Sequence, residues 1–186
     1  AHGARIAVDV GHYLAKAGAT SARGATEFEF NRRLALELAD SLRQAGHDVM
    51  MIGDDGLSAD LGQRSPRARG MDLFVSVHHD SVQSRFLESW EHEGVQRYFS
   101  DRFAGYSIFV SRENPRLAPS LACASAIGAA MRGAGFSPSL YHADPVLGEN
   151  RGFADRLNGV HYFDRLAVLR TAPIPALLFE AGVIVN

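Results

Sequence analysis

Two histidines and two glutamates in this chain stand where each could reach one metal ion. His12 follows the apolar run Arg5–Val10 and Gly11, and His78 follows the run Met71–Val77. Glu180 ends Ala176–Phe179, and Glu27 opens the first long helical pattern. If the three apolar runs are parallel strands, His12, His78 and Glu180 emerge along one sheet edge, where open α/β sheets build their sites. Two imidazoles and a carboxylate leave a zinc ion one open position for water, and a further carboxylate can act as base. That is the outline of a zinc hydrolase.

Each candidate has a plainer rival. On a helix, Glu27 shares a face with Asn31, Leu34 and Leu38, while Glu29 lines up with Arg33 and Asp40 on a solvated face. Glu27 fits equally well as a first-turn carboxylate favoured by the helix dipole. His78 and His79 are adjacent, so in an extended segment they point to opposite sides and only one reaches the site of His12. His2, His47 and His92 have no visible context, and His142 and His161 lie in or beside a long loop. Glu180 is the most telling residue. A carboxylate straight after Leu-Leu-Phe at the end of a buried strand is costly unless paired, metal-bound or catalytic. Other chemistries lack their signatures, since the chain has no Gly-x-Ser-x-Gly elbow, no phosphate-binding Gly-x-x-x-x-Gly-Lys loop and no His-Glu-x-x-His.

The elements that must position these residues alternate along the chain. Strands are predicted at 5–10, 47–52, 72–77, 105–110, 166–169 and 175–180, with helices at 27–45 and 114–135 and a weaker helical segment at 58–69 that Pro66 disturbs. The stretch 82–103 is aromatic and charged without a clean period, and 136–163 reads as a second long loop. The pattern predicts a single-domain α/β fold, a mixed and mostly parallel sheet of about six strands flanked by helices. At 186 residues the chain suits one compact domain. A net charge of −2 offers no broad basic surface for nucleic acid or anionic lipid, and no apolar stretch could span a bilayer. The lone Cys123 excludes an internal disulfide. The chain begins at Ala1 without methionine, so any signal peptide would already be gone.

Five blocks, in order, resemble the zinc-dependent N-acetylmuramoyl-L-alanine amidases of amidase type 3. Val8-Asp9-Val10-Gly11-His12 is similar to the family's Asp-Pro-Gly-His, with Val10 replacing proline, and Gly24-Ala25-Thr26-Glu27 with Asn31 is similar to its Gly-x-x-Glu block. Ser76-Val77-His78-His79-Asp80 resembles Ser-(Ile/Val)-His-Ala-Asn. Asn150-Arg151-Gly152 with Val168-Leu169-Arg170, and Pro175–Gly182 with Asn186, resemble the last two. The resemblance implies one zinc ion per chain held by His12, Glu27 and His78, with Glu180 as catalytic carboxylate. It implies cleavage of the amide between N-acetylmuramic acid and L-alanine in peptidoglycan, in the periplasm or outside the cell, and it leaves room for an activator protein. Another zinc peptidase of wall peptides, or a wall-binding module without catalysis, are the alternatives. Two departures stand out. Segment 82–103 is longer than the usual link and is expected at the site rim, and the family usually continues past the position of Asn186 into a final helix.

Overall fold

The computed structural model describes residues 3–186. In chain order the elements are β1 (Arg5–Val10), α1 (Glu27–Gln44), β2 (Asp48–Ile52), α2 (Leu61–Arg64), β3 (Leu73–Asp80), β4 (Glu88–His92) and β5 (Val95–Phe99). They continue with β6 (Ser107–Val110), α3 (Leu117–Gly133), β7 (Phe153–Asp155), β8 (Val160–Tyr162), α4 (Ala167–Arg170) and β9 (Ala176–Val183). Seven strands form one sheet in the order β2-β1-β3-β9-β6-β8-β7, and β4 pairs with β5 apart from it. β1 runs parallel to β2 and β3, and β3 runs parallel to β9. β9 then meets β6 antiparallel, so the direction of the sheet reverses there.

Helices cover both faces, which is why the central strands read as continuous apolar runs. One face packs Val8, Val10, Val75, Val77 and Leu177 against the half-buried leucines of α1 and α3. The opposite face packs Ala7, Phe74, Phe109 and Leu178 against Val168 and Leu169 of α4. Helix α1 begins where it does because Thr26 caps it. Its hydroxyl accepts from the Glu29 amide at 3.2 Å, and the Glu29 carboxylate accepts from the Thr26 amide at 2.7 Å. At the other end Gly46 takes a left-handed φ of 89° and stops the helix.

The structure corrects four expectations. Segment 166–169 is not a strand but the helix α4, because a four-residue apolar run is too short for periodicity to separate the two. Segment 82–103 contains an antiparallel hairpin, β4 against β5, turned at Glu93-Gly94 with φ of 52° and 76°. The stretch 136–163 contributes the edge strand β7 and its neighbour β8, three residues each. Strands β3 and β9 also run past their predicted ends, to Asp80 and Val183, so His78 and His79 lie within β3.

Candidate functional site

The carboxyl ends of β1, β3 and β9 lie side by side, and the first turn of α1 leans over them. His12 sits just past β1, and its backbone turns sharply with φ of 64°, a conformation that strains a non-glycine residue. Its Nε2 lies 3.0 Å from Glu27 Oε2, and His78 Nδ1 lies 3.2 Å from Glu27 Oε1. One donor atom from each of the three residues lies within 4.8 Å of the others. The backbone leaves room for this cluster. A Cβ on Gly11 would collide with the His78 ring, and one on Gly18, at φ of 78°, with Glu27 Oε2 and the His12 ring.

Glu27 is buried. Burial would push its carboxyl up, but hydrogen bonds and charge from His12 and His78 outweigh this and hold it well below the usual carboxylate range. Its oxygens also accept from the Ala19 amide at 3.1 Å, Asn31 Nδ2 at 3.3 Å and the His79 amide at 3.4 Å. The rivalry between glutamates is thereby resolved in position, because Glu29 is exposed and spent on the helix cap. The two histidines separate as expected. His78 lines a cavity of about 520 Å³ together with His12 and Glu180. His79 faces a second cleft of about 790 Å³, walled by Phe30 and Arg33 of α1 and by Trp90 and Phe99 of the hairpin.

Glu180 stands opposite His78 across the β3–β9 ladder. Its Oε2 is shielded from solvent and has no hydrogen-bond partner. Burial first, then the negative charges of Asp80, Glu27 and Glu149, raise its carboxyl well above the usual range. An orphaned buried carboxylate oxygen is costly and calls for a reason. Two imidazoles and a carboxylate converging beside it fit the donor set of a catalytic zinc ion.

Sequence reasoning missed two features of this edge. Arg64, at the end of α2, is buried and bonds to the main chain beside His12. His142, read without a role, is clasped between carboxylates. Its Nε2 pairs with Asp80 Oδ2, and its Nδ1 lies 3.2 Å from Glu149 Oε2, which Arg151 also pairs. No sequence signal marks either one, since both rest on contacts between distant segments. His161 is buried with neither ring nitrogen partnered, against the Phe153 ring at 4.5 Å. His47 Nδ1 accepts from the Ala4 amide, a structural role, and His2 lies outside the described residues.

A mostly parallel α/β sheet with an imidazole–carboxylate–imidazole cluster at its carboxyl edge defines the class of this protein. The chain belongs to the N-acetylmuramoyl-L-alanine amidase family Amidase_3, whose pattern matches residues 6–186. Solved structures share the fold. The amidase Ami1 from Mycobacterium smegmatis is 18% identical with a TM-score of 0.74, covering 98% of this chain and 83% of its own. The N-acetylmuramoyl-L-alanine amidase from Clostridium difficile 630 is 18% identical with a TM-score of 0.72, covering 100% and 83%. The CwlD amidase from Clostridioides difficile, solved in complex with the GerS lipoprotein, is 16% identical with a TM-score of 0.60, covering 98% and 84%. A comparison with curated proteins gives no significant match.

Proposed function

We propose that this chain hydrolyses the amide between the lactyl group of N-acetylmuramic acid and L-alanine in peptidoglycan, using one zinc ion held by His12, Glu27 and His78. The observation that carries the reading is the orphaned Glu180 Oε2 on the strand beside His78, in the same cavity as His12. When bound, zinc supplies a Lewis acid that polarises the scissile carbonyl and makes water more acidic. Glu27 would bind the ion as a carboxylate, and His12 and His78 would each offer a ring-nitrogen lone pair, which requires that nitrogen to be deprotonated. Glu180 takes a proton from the attacking water and passes one to the departing amine nitrogen.

Action on peptidoglycan places the protein in the periplasm or outside the cell. No helix among the described residues is long and apolar enough to cross a membrane. The lipoprotein bound to CwlD supports extending the proposal to a protein partner for this chain.

Glu180→Gln tests the assignment. Glutamine keeps the shape but cannot accept the proton, so zinc content and melting temperature stay near the parent while muramoyl-alanine cleavage falls by roughly 10²–10⁴-fold. Cleavage above about a tenth of the parent rejects Glu180 as the base. Loss of zinc instead makes it a ligand, and lower stability with intact specific activity makes it structural. A parent that binds zinc and wall fragments without cleaving them is a binding module.

A further inference from the structure

The guanidinium of Arg64 is only 1% exposed, although it comes from a four-residue helix at the surface end of the sheet. Its Nη1 donates to Asp9 Oδ1 at 2.8 Å and to the Val10 carbonyl at 2.6 Å. Its Nη2 donates to the His12 carbonyl at 2.6 Å and to the Ser58 carbonyl at 2.6 Å. The N–H groups of both terminal nitrogens are therefore spent, and the acceptors are spread over the end of β1 and the loop before α2. The second oxygen of Asp9 accepts from Ser76 Oγ of β3 at 2.6 Å, so that carboxylate has a partner besides Arg64.

The end of β1 needs such a group. The Gly11 amide still donates to the Val77 carbonyl at 3.0 Å, after which the chain leaves the sheet through His12 at φ of 64°. The carbonyls of Val10 and His12 are then left beside buried groups, where unpaired backbone oxygens are costly. Holding a branchless-favouring backbone conformation at a histidine also requires surroundings that over-determine it. The His12 imidazole itself is about a third exposed, so its packing alone gives little restraint. Besides its contact with Glu27 and the edge of the His78 ring, its backbone turn is a constraint on where it aims.

We propose that Arg64 is a positioning residue of the metal centre, fixing the backbone of His12 by bonding the carbonyls on either side of Gly11. The proposal rests on the reading of His12 as a metal ligand. It goes beyond a stabilising ion pair, because the charge of Asp9 could be met by any cation, whereas the two carbonyls need the forked geometry of a guanidinium.

Arg64→Lys keeps the charge and loses the fork. The expected result is about a ten- to hundred-fold weaker zinc affinity, the loss usual when a group supporting a ligand is removed, with an altered visible spectrum after loading with Co²⁺. Asp9→Asn is the control that leaves the carbonyl bonds in place. It should lower stability while keeping the zinc affinity and the Co²⁺ spectrum of the parent. A parent-like affinity and spectrum in Arg64→Lys overturn the proposal. So does an Asp9→Asn variant as weak in zinc as Arg64→Lys, since the ion pair and not the fork would then be at work. If Arg64→Lys yields no folded protein, Asp9→Asn decides, with parent-like affinity supporting the fork and weakened affinity overturning it. A parent that takes up no zinc at all fails the metal reading itself, which is a separate outcome.

Discussion

The clasp around His142 makes a pH-dependent contribution whose sign and size follow from its surroundings. Burial alone would lower the affinity of this imidazole for its proton, but the carboxylates of Asp80 and Glu149 outweigh it and raise the value from 6.5 to about 9. A raised folded value means that the contribution is complete below the unfolded value near 6.5 and is lost as pH rises through about 9. A rise of this size corresponds to about 3 kcal/mol at roughly 1.4 kcal/mol per unit. The same pair holds Glu149 down to about 2, with hydrogen bonding to His142 the leading cause, so that contribution disappears only as pH falls through about 2. The two values describe one interaction and are not added. The clasp is therefore complete between about 4.5 and 6.5. Denaturant unfolding of the parent and His142→Gln, run at intervals from pH 6 to 10, reads it out. The stability advantage of the parent should shrink by about 3 kcal/mol across that range. An advantage that stays constant with pH would refute the argument, because the histidine would then carry no extra proton in the fold.

Three other outcomes follow from the site. Glu27→Ala should weaken zinc binding strongly, while Glu29→Ala leaves zinc content unchanged and only loosens the start of α1; zinc titration of both variants checks this. Removing zinc with a chelator should abolish cleavage and lower the melting temperature, and added zinc should restore both, as expected for a ligand that binds only the folded state. Replacing residues 88–99 by a short turn should raise KM on large wall fragments with zinc retained; loss of zinc or of folding would make the hairpin structural.

The sheet was readable in the sequence wherever burial on both faces left an uninterrupted apolar run. β1, β3 and β9 are of this kind, and their carboxyl ends carried His12, His78 and Glu180 to one edge. Glu27 was harder to place, because its neighbour Glu29 has the same charge and sits in the same helical turn. Only the packed structure shows Glu29 tied to Thr26 and Glu27 turned inward. The hairpin was missed because its strands are half-exposed and its turn is Glu-Gly, so neither a continuous apolar run nor a strong turn pair marks it. Arg64 and His142 were out of reach for another reason. An arginine on a weak helix and a histidine in a long loop look solvated in one dimension, and their burial depends on partners 52 and 62 residues away.

The hairpin beside the second cleft gives this fold a part whose length can drift independently of its chemistry. Trp90 anchors it through a 2.9 Å hydrogen bond from Nε1 to the Ala22 carbonyl, and Phe99 lies near the point where the Ser100 amide donates to the Val185 carbonyl. Phe99 therefore belongs to the base of the hairpin and Trp90 to its middle, while His92 and Val95 close its tip. Residues gained in matched pairs beyond His92 and Val95 would lengthen the tip and leave the wall of the cleft in register. A single residue gained in one strand below them would force a bulge or a slip, and a slip exchanges inward and outward side chains. Lineages of this protein should accordingly vary at the tip in steps of two, changing the reach of the hairpin while the sheet edge that carries His12, His78 and Glu180 remains untouched.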